Sequence, residues 1–171
     1  MDRDTQLKRL TVLYWLGVED PDAASAWAEQ EVSSNPDAHP LVTEVFAGRM
    51  DIGHLLQEIA SQQFGFHPSS EDGEFYARLI LISYLRRFVA REISPYELCA
   101  IVLAIDNKYL DIRPLDDPAI AYYPEWLGDL LNACDWCDET WTHASAGHLV
   151  TEAHVVLDAL TGDLGEQAQG G

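Results

Sequence analysis

Apolar residues along this chain recur at helical rather than alternating spacing, and helix-capping residues punctuate them. Asp4-Thr5 precedes Leu7, Leu10, Leu13, Tyr14 and Leu16, a stripe with the steps of one helix face that ends at Gly17. Asp20-Pro21-Asp22 places a capping carboxylate before a first-turn proline. It opens a helix through Trp27 and Val32 that Asn35-Pro36 breaks. His39-Pro40 begins a short helix holding Leu41, Val45 and Phe46, which stops at Gly48. Asp51 caps a fourth helix with Leu55, Leu56 and Ile59.

The middle of the chain predicts the core. Ser69 with Asp72 has the form of a capping box, Asp standing for the preferred Glu or Gln. The helix behind it, Phe75 to Val89, is apolar almost all round and is expected to be central. Acids near its start and Arg86, Arg87 and Arg91 near its end suit the helix dipole, which accounts for those arginines without a phosphate. Ser94-Pro95-Tyr96-Glu97 combines an N-cap serine, a first-turn proline and a reciprocal glutamate. The helix it opens, from Leu98 to about Lys108, is again nearly all apolar and is expected to pack beside the first core helix. After a loop with Pro114 and Pro118, Tyr122-Tyr123-Pro124 leads into a helix predicted from Glu125 to about Glu139. A last helix is predicted from about Ala146 to Leu160. No segment alternates as a strand would. The expectation is an all-α fold, an irregular bundle of about seven or eight helices. Residues 1–160 would form a single domain, and 161–171, which lack periodicity, a disordered tail.

Composition changes this picture mainly through charge. The hydrophobic fraction, 47 %, suffices for a packed core. Against it stand 29 acidic and 10 basic residues, a net charge of −19. Such a surface repels nucleic acid and anionic membranes and attracts cationic proteins, although acidity also serves plain solubility. The imbalance is lopsided: all ten basic residues lie at or before Arg113, and the 11 acids from Pro114 onward meet no base. No apolar run reaches the ~18 residues of a membrane span. The opening MDRDTQLKRL lacks the pattern of a secretory leader, so a cytoplasmic protein with reduced thiols is expected.

On a wheel of about 100° per residue, Leu127, Leu130, Leu131, Cys134, Cys137 and Trp141 share one face of the Glu125 helix. Glu125, Asp129, Asn132, Asp135 and Glu139 take the other, and Trp136 falls in their midst. An exposed indole ringed by carboxylates is the form of an interaction hot spot, unless the tail or the loop before Tyr123 folds over it. Tyr122, Tyr123 and Trp126 flank the same surface and either extend it or fill the core, and Asp116 and Asp117 add charge to it.

Candidate chemistry is thin. Cys134 and Cys137 form a CxxC followed by His143, His148 and His154, a set able in principle to bind zinc. Thiols on the apolar face of a helix more often act as small hydrophobes, and the spacing fits no common finger. Nucleophile elbows, P-loops, dinucleotide fingerprints and calcium loops are absent. No catalytic residue, metal site or cofactor is assigned, and no enzymatic activity is expected.

Ala26-Trp27-Ala28-Glu29, Pro40-Leu41-Val42-Thr43-Glu44-Val45 and Leu55-Leu56-Gln57-Glu58-Ile59 look like the opening helices of small acidic helical immunity proteins of bacterial polymorphic or contact-dependent toxin systems. Tyr122-Tyr123-Pro124 resembles the Tyr-Tyr-Pro segment that nuclease-colicin immunity proteins present to their toxins. The resemblance covers a third of the chain. It implies an immunity protein, monomeric or weakly dimeric, that blocks a basic toxin domain and carries Tyr122 and Tyr123 at the matching positions. Two other classes stay open. One is a helical adaptor or homo-oligomeric scaffold in which Trp136 packs against a twin, and the other is a small zinc protein.

Overall fold

The computed structural model of the protein describes residues 2–48, 51–110 and 125–167. It is all-α: these residues form eight helices and, among the described residues, no strand. None of the described helices is long and apolar enough to cross a membrane. The chain divides into two compact units, Met1–Ala77 and Arg78–Gly171, with the division falling inside the fifth helix.

The first unit is built from α1 (Arg3–Trp15), α2 (Pro21–Ser34), α3 (Leu41–Ala47), α4 (Ile52–Phe64) and the start of α5 (Glu71–Val89). α1, α2 and α4 each open on an aspartate that takes up an orphan amide. Asp2 accepts from Thr5 N at 2.9 Å, Asp20 from Ala23 N at 3.0 Å and Asp51 from His54 N at 3.2 Å. Gly48 and Gly65 end α3 and α4 in the left-handed conformation that glycine adopts without steric cost. α1 packs on α2 and α4, α2 on α3, and α3 on α4. Leu7, Leu56, Ile59, Val42 and Trp27 are sealed between them.

Two buried polar groups fix the register of these helices. The Thr11 hydroxyl donates to its own helix at Leu7 O, 2.9 Å away, and lies 3.3 Å from Leu56 O on α4. Glu31, at 8 % exposure, accepts from Arg3 Nη1 at 3.3 Å and Asn35 Nδ2 at 2.6 Å. The first bond ties the start of α1 to the end of α2.

The cap of α5 differs from the predicted one. Ser70, not Ser69, accepts from Gly73 N at 3.2 Å, and Ser69 Oγ instead meets His67 Nδ1 at 2.6 Å. The helix therefore begins at Glu71 and passes close over the preceding loop.

The second unit contains the rest of α5, α6 (Pro95–Leu110), α7 (Glu125–Ala133) and α8 (Gly147–Gln167). The predicted capping box at the head of α6 is present. Ser94 N donates to Glu97 Oε2 at 2.8 Å and Glu97 N to Ser94 Oγ at 3.2 Å. The Ser94 amide and then the Ser94 hydroxyl, 2.9 Å away, donate to the Glu97 carboxylate and hold it below the usual range. α7 lies between α6 and α8, packing on both. The core gathers Leu81, Leu85, Phe88, Leu98, Ile101, Ile105, Leu127, Leu130, Leu149 and Leu160. α6 is less enclosed than its composition implies, because Tyr96 and Leu103 are exposed at 44 % and 45 %.

Two predicted boundaries are corrected. α8 continues past Leu160 to Gln167, into the segment expected to be disordered. α7 stops at Ala133, well short of Glu139, with consequences for the site below.

The close passage of α5 yields a stability prediction. A Cβ on Gly73 would stand 1.9 Å from Pro68 O and 2.4 Å from its carbonyl carbon, backbone atoms that cannot swing aside. Gly73→Ala should cost about 3 kcal/mol in a denaturant melt. Gly162→Ala on α8, where the new methyl meets nothing within 4 Å, should gain about 0.5–1 kcal/mol.

Candidate partner-binding site

α7 ends by tightening. Cys134 N donates to both Leu130 O (3.2 Å) and Leu131 O (2.9 Å), and Asp135 N to Asn132 O (3.2 Å), so the i−4 ladder becomes i−3. The chain then reverses at Trp136, whose φ of 66° lies in the left-handed region, and Cys137 N closes the turn on Cys134 O at 3.0 Å. A left-handed residue after a helix is commonly glycine. Here it is the bulkiest side chain there is.

The turn is braced from behind. His148 on α8 directs Nε2 at Ala133 O, 3.0 Å away, satisfying the last carbonyl of α7. Since a carbonyl only accepts, that nitrogen carries the proton. The Trp141 ring meets His148 edge-on with centroids 5.4 Å apart. His143 stacks on Phe88 at 4.5 Å and donates from Nε2 to Phe88 O at 3.0 Å. Beyond the turn, Asp138 accepts from Thr140 N at 2.8 Å, and Thr142 and Ser145 exchange bonds ahead of α8.

These contacts reassign the residues considered for zinc. His143 and His148 already serve carbonyls, and His154 lies exposed on α8. Among the described residues, no group of three or more metal-ligating side chains is arranged to hold an ion. The cysteines are free thiols, with Cys99 on α6 and Cys134 buried and Cys137 half-buried. A hydrogen bond from Cys134 and burial push the Cys99 thiol well up. Burial first, then Cys99, push Cys137 up to about 12.

Trp136 itself is 91 % exposed. The wheel placed it on the outer face of a helix that does not extend to it, so the expected exposure has a different cause: the reversal of the backbone. Asp135 and Glu139 are exposed in the same turn region, and Asp129 is exposed on α7. Asp138, not singled out from the sequence, joins them. Its carboxyl is lowered by the Thr140 hydroxyl and then the Thr140 amide. An Asp two residues before a Thr is a turn signal that reveals it. Among the described residues, none of these four carboxylates has an ion-pair partner. Tyr122, Tyr123, Asp116 and Asp117 lie outside the described residues, as do the side chains of Glu125 and Trp126.

Comparison of the chain with protein-family models, with curated proteins and with solved structures finds no match in any of the three.

Two outcomes follow from the turn. Trp136→Gly removes no packing and relieves a left-handed L-residue, so it should raise unfolding free energy by about 1 kcal/mol in a denaturant melt. A thiol raised to about 12 is almost wholly protonated near neutrality. At about pH 8, iodoacetamide should therefore label Cys137 on the order of 10³-fold more slowly than a free cysteine. The rate should climb about tenfold per pH unit until the thiol titrates, as peptide mass spectrometry would follow.

Proposed function

We propose that the protein binds and blocks a basic protein partner, a toxin domain for which it is the cytoplasmic immunity protein. Trp136 is the anchor, and Asp129, Asp135, Asp138 and Glu139 form the steering rim.

One observation carries the reading. Trp136 is held in a backbone conformation unfavourable to it, with 91 % of its surface in water, in a turn closed by Cys137 N on Cys134 O and backed by His148. Folding gains nothing from an indole there, and an outlier of this kind is grounds for a functional hypothesis. Tryptophan is also the residue most enriched among binding hot spots. Among the described residues these carboxylates have no ion-pair partner, which favours a basic protein partner. The resemblance of Tyr122-Tyr123-Pro124 and of the opening helices to acidic immunity proteins supplies the toxin class. Inhibition would be steric and electrostatic: the carboxylates speed the encounter, the indole slows dissociation, and occupancy covers the partner's basic site. No turnover is required.

The test is co-expression and binding with a toxic, basic domain encoded beside this gene. Trp136→Ala should weaken binding by about 2 kcal/mol, or ~30-fold. Val155→Ala, which truncates an exposed apolar side chain on α8, should change it less than about twofold. Added salt should slow association more than it alters dissociation. Equal losses for the two variants, or association insensitive to salt, would overturn the reading.

A further inference from the structure

The first unit carries a cation that the binding role above does not use. Lys8, half-buried on α1, holds Nζ 5.2 Å from the ring centroid of Phe64, at the end of α4, and 5.8 Å from that of Phe66. Phe66 meets Tyr76 edge-on at 5.7 Å, and Tyr76 meets Phe75 at 5.5 Å. The ammonium thus joins a continuous cluster of four rings, all within the first unit. Phe66 and Tyr76 are buried, whereas Phe64 and Phe75 are each 38 % exposed. Ring faces hold an ammonium only weakly. Carboxylates outnumber bases almost threefold in this chain, yet among the described residues neither Lys8 nor Arg9 beside it has an ion-pair partner. Folding leaves a cation unneutralised next to uncovered aromatic carbon.

The second unit carries the inverse arrangement. There an exposed indole stands beside Asp135, Asp138 and Glu139, which have no ion-pair partner among the described residues. Tryptophan is the ring that a lysine ammonium favours most, and its faces and edges pack well on phenylalanine. An indole among carboxylates therefore matches a cation among rings in both charge and polarity. With 91 % of its surface in water, Trp136 does not make that match within its own molecule.

We propose that the Trp136 turn of one molecule docks on the Lys8 face of a second copy. The indole packs on Phe64 and Phe75, and the carboxylates reach Lys8 and Arg9. The two surfaces differ, so pairing leaves one free surface of each kind, and association continues into a ring or an open chain. The net charge of −19 opposes approach from a distance. At about 0.15 M salt that opposition is screened beyond ~8 Å, and the groups at contact decide. A single indole anchor keeps the association weak, with a dissociation constant of about 0.1–1 mM. Like the toxin reading, this rests on Trp136 as an anchor, and it sets self-association and the toxin domain in competition for one indole.

The test is sedimentation equilibrium of the full-length protein alone, near neutral pH, at about 0.15 M salt and up to ~1 mM protein. Mass should rise with concentration above that of the monomer. Lys8→Glu and Trp136→Ala should each weaken association at least about tenfold, and so should Lys8→Gln, which keeps most of the stem. Mixing Lys8→Glu with Trp136→Ala should restore association, because each supplies the surface the other lacks. The mixture should stop at a one-to-one pair, since both remaining surfaces are disabled. Lys8→Gln should leave dissociation of the basic domain encoded beside this gene unchanged, whereas Trp136→Ala should speed it, so either reading can fail alone. A monomer at every concentration, or a mixture that stays monomeric, would overturn the proposal. So would association that survives both Lys8 substitutions and is lost with Leu103→Ala, which would place the contact on α6.

Discussion

The carbonyl of Ala133 is the point at which α7 gives up its ladder, and what happens there decides the shape of the second unit's surface. A helix end leaves its last carbonyls without partners, and a buried end needs them supplied from elsewhere. His148 supplies one from α8. This hydrogen bond contributes about 1 kcal/mol net, yet losing it would expose a cost larger than that gain. Two ring contacts, Trp141 against His148 and His143 against Phe88, also hold the segment between α7 and α8 to α8 and α5. Because that segment is pinned, the reversal at Trp136 has a defined backbone and the indole a defined exit. The acidic side chains around it inherit their positions from the same pins.

Much of the framework was legible because the interactions that set it are local. The Ser94 box involves four consecutive residues, and the Asp20-Pro21 start involves three, so composition at fixed offsets suffices to read them. The breaks at Gly17, Asn35-Pro36 and Gly48 are legible for the same reason. Where two serines adjoin, local information is ambiguous. The His67 ring takes the Ser69 hydroxyl and leaves Ser70 as the cap, a choice that neighbouring residue types alone do not dictate.

The end of α7 was illegible for a deeper reason. Between Ala133 and Trp141 there is neither glycine nor proline, and a wheel drawn through that stretch continues without objection. At the stop the Ala133 carbonyl is taken up by His148, a residue that only the folded chain brings near. The wheel left Trp136 either exposed or covered by another segment, and it drew that choice on a helix that does not reach the residue. In the same way, the apolar composition of α6 says what it is able to bury, not what its neighbours cover.

That partly uncovered helix has a consequence for how molecules of this protein treat one another. Tyr96 and Leu103 stand one above the other, two turns apart, on a face that offers grease to any passing copy. What discourages such encounters is long-range repulsion between bodies that each carry −19. The acidity is therefore a colloidal shield as well as a lure for cations. The shield thins as the medium approaches the isoelectric point near 4.3 or as salt shortens its reach. Under those conditions the α6 face is the place where clustering of otherwise intact, folded molecules begins.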